Sequence, residues 1–449
     1  MQFVANWIGS ERLLIIAIIL FAFTYIGMIV FQKLRPYIAL GSAVIFVLLG
    51  ALPINSVPGA VDWNVIFMIA GTMGTVALFI ESKMPAKLAD MLIDKSPNLK
   101  WAVIWLSIFA GVVSAFIDNV ATVLMIAPVA INIAKKLKIS PVPSVIVISI
   151  ASNLQGAATL VGDTTSILLG GAAKMNFLDF FFFKPNGYAH MGVGMFWIVQ
   201  ISFLAATAIL FFIFRKSKQA IQLEEKTVVN DLMPTFLLLF TVGSLIAVSF
   251  IPKTLQIGTF SFTKPAAING ILCVLIYLVG IVHYAFVKKD KSVLLRSLKE
   301  IDYRTLLLLA GLFVVIAGLT NVGVLDKIKD IFQTFGGGVF VIYSILVWFS
   351  VLVSAFVDNI PYVATMLPVV TALAEGMGVT PYLFYFGLLS GATLGGNLTP
   401  IGASANIAGL GILRKEGHSV KTSTFMKLSV PYTLSAVAVG YVLVWIFWR

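Results

Sequence analysis

Charged side chains are scarce in this chain: Asp, Glu, Lys and Arg make up 11% of 449 residues, against about 25% in an average soluble domain. Cysteine is nearly absent. Cys273 stands alone inside an apolar run, so no intramolecular disulfide can form and the redox compartment leaves no mark. Histidine is almost as rare, and His190, His283 and His418 are too widely separated for zinc-ligand spacing. No HExxH or GxSxG run occurs, which removes the common hydrolase signatures. Acid is the scarcer sign, with 19 Asp and Glu against 31 Lys and Arg and a formal net charge of +12. In a soluble protein that balance would point to nucleic acid. Here the basic residues sit in short gaps between long apolar runs, which suits anionic lipid headgroups better.

What the chain has in place of charge is apolar length. Hydrophobic residues are 59% of the total, more than one water-facing surface could cover. A soluble enzyme, a nucleic-acid binder and a disordered chain are excluded, and the composition predicts an all-α polytopic membrane protein. A bilayer core about 30 Å thick takes roughly 20 helical residues. Ten runs approach or exceed that length: 13–31, 37–52, 63–80, 142–173, 191–214, 235–251, 266–287, 305–325, 382–413 and 428–447. The first suits a span better than a signal segment, and no small-residue cleavage site follows it. Runs 142–173 and 382–413 are too long, and too interrupted by Gly, Asn and Thr, to be single helices. They are expected to break at the midplane.

Two further segments, 101–134 and 339–374, each carry an apolar arm, an Asp-Asn pair and a second arm of about a dozen residues. At ~1.5 Å per residue that arm spans roughly 18 Å, too short to cross, so each segment is expected to be a re-entrant hairpin. Ser114-Ala115-Phe116-Ile117-Asp118-Asn119 recurs as Ser354-Ala355-Phe356-Val357-Asp358-Asn359. Asp62-Trp63 recurs as Asp302-Tyr303, Ala70-Gly71 as Ala310-Gly311, Pro128 as Pro368, Thr159 as Thr399 and Gly162 as Gly402. One offset of 240 relates every pair, which indicates internal duplication. The expected domains are repeat 1 over 1–214, a cytoplasmic linker over 215–232 and repeat 2 over 233–449. Each repeat has five spans and a hairpin. Five is odd, so the repeats should have inverted topology. Counting spans alternately puts 23 of the 31 basic residues on one side, the cytoplasmic one by the positive-inside rule. Hairpin 1 then enters from the cytoplasm, hairpin 2 from outside, and both termini lie outside the cell (inner) membrane.

Only three carboxylates stand well inside the apolar cores: Asp118, Asp163 and Asp358. An ionisable group at membrane depth costs at least about 2.5–3.5 kcal/mol and normally faces a cavity or a partner. Asp118 and Asp358 are duplicated. Asp163 is not, because position 403 is alanine, and it is expected to matter less. Asn119 and Asn359 supply donor and acceptor where each tip leaves helical geometry. Capping of the second arm by each Asp-Asn pair is the plainer role, and it does not exclude ligand contact. Thr122 lies one turn further on. The broken runs add Asn153, Thr159 and Thr164 in the first half, and Thr393, Asn397, Thr399, Ser404 and Asn406 in the second. Close helix packing explains their glycines but not this clustering of Thr and Asn. Hard cations take carboxylate, carbonyl and hydroxyl oxygens, so Na⁺ is a candidate at Asp118, Asn119, Asp358 and Asn359. No cofactor is called for beyond a coupling ion, Na⁺ or H⁺ or both.

Phe116-Ile117-Asp118-Asn119-Val120-Ala121-Thr122 and Phe356-Val357-Asp358-Asn359-Ile360-Pro361 resemble the hairpin tips of the ion transporter superfamily. The nearest branch holds arsenite permeases, NhaD-type sodium/proton antiporters and the melanosomal P-protein, with a citrate-transporter-like domain. Gly395-Gly396-Asn397-Leu398-Thr399-Pro400-Ile401-Gly402-Ala403-Ser404-Ala405-Asn406 is similar to the second-half motif of the NhaD type. The resemblance covers nearly the whole chain and is specific for the superfamily rather than for a substrate. It implies a scaffold domain that forms a homodimer, and a transport domain of hairpins and broken helices that moves as an elevator. Asp118 and Asp358 depart from the serine that dicarboxylate symporters carry at these tips. Gly162-Asp163-Thr164-Thr165-Ser166 departs from the Gly-Asp-Pro-Pro-Asn run common in the branch. Sodium (cation)/proton antiport is one expectation. An ion- or proton-coupled permease for arsenite, antimonite or a small organic anion such as a carboxylate is another. A channel or intramembrane enzyme fits paired inverted hairpins poorly. The expected partners are the bilayer and a small ion or small-molecule substrate, with no nucleic acid.

The inverted arrangement has a direct test. With Cys273 changed to Ser, a single cysteine near Lys136 should react with an impermeant thiol reagent from the cytoplasm, and one near Glu375 from outside. Labelling of both from one side would contradict the inversion.

Overall fold

The computed structural model describes residues 10–185, 191–217, 219, 227–252, 254–257, 260–334 and 337–449; His190, and Lys218 and 220–226 of the expected linker, lie outside them. The first half contains α1 (Ser10–Val30), α2 (Arg35–Leu48), α3 (Trp63–Glu81), α4 (Met84–Asp94), α5 (Leu99–Ser114), α6 (Asn119–Lys136), α7 (Val142–Gly156), α8 (Thr164–Ala172) and α9 (Met195–Ile213). The second contains α10 (Met233–Ser249), α11 (Ile268–Val282), α12 (Lys291–Lys299), α13 (Tyr303–Asn321), α14 (Val324–Thr334), α15 (Val339–Ser354), α16 (Asn359–Gly376), α17 (Tyr382–Leu389), α18 (Ser404–Lys415) and α19 (Thr422–Trp448). Two small antiparallel pairs, β1 (Phe182–Phe183) with β2 (Gly192–Val193) and β3 (Thr254–Ile257) with β4 (Phe260–Thr263), join helices. Among the described residues seven helical stretches are long and apolar enough to cross a membrane.

The 240-residue period is visible in the helices themselves. α3 and α13, α4 and α14, α5 and α15, and α6 and α16 begin and end at matching positions, and α8 and α18 begin at matching ones. Their starts share a cause. The Asp62 carboxylate accepts from the Val65 amide at 3.1 Å, and Asp302 accepts from the Thr305 amide at the same distance. Each satisfies an amide that the first helical turn leaves unpaired. The halves also interlock: α3 packs on α11, and α13 packs on α2. A Cβ at Gly71 would stand 2.3 Å from the Cys273 carbonyl carbon, and one at Gly311 would stand 2.7 Å from that of Ala39. Only glycine lets both crossings close.

Run 142–173 is broken, as the sequence indicates, into α7 and α8 with residues 157–163 between them. Run 382–413 passes from α17 through a π turn (Ser390–Leu394) and a 3₁₀ turn (Gly396–Leu398) into α18. α7 is buried on nearly every face, the position expected of a helix without a polar stripe. The second hairpin arms are longer than the sequence indicates. α6 and α16 each have 18 residues, roughly 27 Å at 1.5 Å per residue. Lys135 and Lys136 lie inside the last turn of α6, where basic side chains favour the helix C-terminus rather than ending it early. Length therefore does not by itself make these arms re-entrant.

Candidate functional site

Both tips end in a capped helix. Asp118 accepts from the Val120 and Ala121 amides at 3.0 and 3.1 Å, and Asp358 accepts from the Ile360 amide at 3.1 Å. Thr122 donates back to the Asp118 carbonyl. The breaks are tied to the arms beside them. Thr159 donates to the Ala115 carbonyl and Thr399 to the Ala355 carbonyl. Ser166 donates to the Gly156 carbonyl, and Asn406, at the matching position, donates to the Gly396 carbonyl.

The centre is a polar network shared by the two halves. The Asn119 amide donates to Asn153 Oδ1 at 3.0 Å. Asn153 Nδ2 reaches the Thr393 carbonyl at 2.8 Å and Asn397 Oδ1 at 3.1 Å, and Asn397 donates to the Ile150 carbonyl. Asp163 caps α8 through the Thr164 amide at 2.8 Å and accepts from Thr165 Oγ1 and Asn359 Nδ2. Thr165 and Thr393 share a hydroxyl hydrogen bond of 2.9 Å. All of these side chains are buried.

Against this network lies a cavity of about 110 Å³. One water needs roughly 10–15 Å³ on the same measure, so there is room for a partly hydrated ion or a small solute. Six of the expected site residues line it: Asp118, Asn119, Asp163, Thr164, Asn359 and Ser404. Asn153, Thr159, Thr393, Asn397, Thr399, Asn406 and Thr122 do not; they brace the wall. Glu300, Asp302 and Thr305 line the cavity as well, from the start of α13. Glu300 and Asp302 are exposed and Asp163 is buried, so the cavity runs from a wet mouth to a dry end. Four of its lining residues are acidic, and none is Lys, Arg or His. The carboxylates are spread along it: among the described residues no three acidic, His or Cys side chains are grouped to hold a metal.

The two duplicated aspartates part company here. Asp358 does not line the cavity. Its Oδ2 is bound by Arg35 Nη1 and Ser404 Oγ, each at 3.2 Å. Asp118 makes no ion pair among the described residues. Asp163, the carboxylate without a duplicate, lies in the cavity with Asp118. Of the four residues expected at a sodium site, Asp118, Asn119 and Asn359 line the cavity, while Asp358 lies outside its lining and is paired with Arg35.

The sequence profile of the citrate transporter family matches residues 15–389. The chain belongs to the citrate transporter family. It is similar over 96% of its length to an uncharacterized transporter of Mycobacterium tuberculosis, 28% identical over 440 residues and covering 98% of that protein. A 46 kDa membrane protein of Mycobacterium leprae is 29% identical over 448 residues, with 96% of this chain and 98% of that one covered. The mouse P protein is 27% identical over 451 residues, covering 85% of this chain and 53% of the longer relative. The crystal structure of the Alcanivorax borkumensis YdaH transporter has the same fold, with a TM-score of 0.61 at 13% identity over 87% of both chains. This family member is therefore an integral membrane transport protein and not an enzyme.

Asn153→Ala in this transporter should strand the Thr393 carbonyl, the Asn397 amide oxygen and the Asn119 amide at once. A buried group left without its partner costs about 1–3 kcal/mol, so the melting temperature in detergent should fall clearly. An unchanged melting temperature would show that the inter-half network contributes nothing to stability.

Proposed function

We propose that this citrate transporter family member exchanges a cation, with Na⁺ the first candidate, for protons by alternating access. The observation that carries this reading is the cavity lined by four carboxylates and no basic side chain. Two like charges 4 Å apart repel by about 4 kcal/mol at an effective dielectric of ~20. The family name points to citrate, but a carboxylate anion would meet that repulsion with no lining base to offset it. A hard cation finds carboxylate, amide and hydroxyl oxygens. A carboxylate cannot hold a proton and a cation together, so competition at Asp118 and Asp163 couples the two flows. A neutral metalloid hydroxide such as arsenite would escape the repulsion and fit the volume, and it is the second reading.

Alternating access is supported by a broken symmetry. At the Asp118 end the cavity is open. At the matching end, a Cβ at Gly171 would stand 2.8 Å from the Asp62 carboxylate, whereas Gly411, 240 positions later, has nothing within 4 Å. Inverted repeats caught in unequal arrangements are what rocking or elevator motion of one domain past the other requires. The ion pairs agree with the proposed sidedness. Lys135–Glu416 and Arg296–Glu81 join groups assigned to the cytoplasm, and Lys329–Glu375 joins groups assigned outside. The mouth at Glu300 and Asp302 is then cytoplasmic. The same reading has both termini outside, re-entrant hairpins, and the chain acting as a homodimer in the cell membrane.

In proteoliposomes carrying an internal pH dye, an imposed Na⁺ gradient should drive proton movement. Asp118→Asn or Asp163→Asn should reduce it to the level of empty liposomes, a larger effect at Asp163 than its missing duplicate suggests. Asp302→Asn, at the exposed mouth, should slow it by a factor that shrinks as ionic strength rises. Sodium-driven flux retained by the Asp118→Asn, Asp163→Asn double variant would defeat the mechanism.

A further inference from the structure

Arg35 opens α2, and its side chain is held at two points. Nε donates to the Met28 carbonyl at 3.0 Å, which fixes the guanidinium to the corner between α1 and α2. Nη1 reaches Asp358 Oδ2 at 3.2 Å, and the two side chains are only 14% and 16% exposed. The ion pair therefore joins the α1–α2 corner to the tip of the second hairpin across 323 residues of sequence. Among the described residues the first hairpin has no equivalent ion pair. Matching α2 to α11 on their crossings with Gly311 and Gly71 aligns Ala39 with Cys273, and so aligns Arg35 with the uncharged Asn269.

A half-buried pair of this kind is not neutral in the balance between two states. Whichever arrangement keeps it gains its attraction, and whichever breaks it leaves two charges to be solvated. An interaction biases a conformational equilibrium only by the difference it makes between the states. Asp358 is bonded while the acidic cavity at the other tip is open. A movement that carried the second tip from the α1–α2 corner would have to release it.

We propose that Arg35 is a tethered cation that holds the second hairpin tip in place while the acidic cavity is open, and lets it go when the cavity closes. This rests on the alternating-access reading above, and it deepens that reading: Asp358 is occupied by the protein's own cation, so an ion that has passed the mouth meets Asp118 and Asp163 but not Asp358. Arg35 is a positioning residue acting through Asp358.

The test reads the open state without any transported ion. Ala121 lines the cavity one turn from Asp118. In a Cys273→Ser background, the rate at which Ala121→Cys reacts with a small charged thiol reagent reports how much of the purified protein is open. Arg35→Gln should slow that reaction about fivefold or more, the low end of a typical coupling between states. Arg35→Lys keeps the charge and should recover most of the rate. If Arg35→Gln strands Asp358 and fails to fold, Arg35→Gln with Asp358→Asn leaves neither charge unpaired and should show the same slowing. A monodisperse variant of either kind that labels at the wild-type rate would overturn the proposal, because a guanidinium that braces every state equally leaves the rate unmoved. Sodium-driven proton flux in the same preparations separates the two ideas. Slowed labelling without wild-type flux would keep the tether and remove cation exchange; flux with unchanged labelling would do the reverse.

Discussion

Lipid offers no hydrogen bonds, so each peptide group freed by a break in a membrane helix must find its partner inside the protein. The rest of this structure depends on that constraint. The breaks at 157–163 and after Gly395 would be untenable beside acyl chains. They persist because Thr159, Thr399, Ser166 and Asn406 bond carbonyls of the adjoining turns and arms, and because Asn153 and Asn397 tie one half to the backbone of the other. The polar groups that repair the breaks brace the inner wall of the cavity from behind. Breaking the helices and building a polar site are one act.

That network keeps the pseudo-symmetry of the duplication, while the charges break it. Both tips present Asp-Asn, and both aspartates cap the helix that follows. One tip then faces Asp163, Glu300 and Asp302 across open space, and the other faces Arg35. The carboxylates at the open tip run from an exposed mouth, Glu300 and Asp302, to a buried end, Asp163.

Much of this was legible in the sequence where the signal is local. The caps at Asp118 and Asp358 and the breaks in two overlong runs rest on neighbours within a few residues, and the 240-residue period shows in short motifs that recur intact. What was illegible rests on tertiary contact. Asp302 was visible as the duplicate of Asp62, yet nothing near it in sequence says that the start of α13 forms the mouth of a cavity at the other half's hairpin. Arg35 counts as one more basic residue in a short loop until the fold brings it to Asp358. The same contact keeps Asp358 out of the cavity lining, where Asp163 is found instead. The arm lengths were misjudged for a different reason: Lys135 and Lys136 mark the polar end of a helix, not the residue before it.

The central claim is that the acidic cavity takes a cation. The most direct measurement is the melting temperature of the purified wild-type protein titrated with Na⁺, Li⁺, K⁺, arsenite and citrate at constant ionic strength. A ligand that binds only the folded state stabilises it by RT ln(1 + [L]/Kd). Na⁺ or Li⁺ should raise the melting temperature saturably, Asp163→Asn should abolish the rise, and citrate in a Na⁺-free buffer should do nothing. Saturable stabilisation by citrate or arsenite with none by any cation would contradict the account.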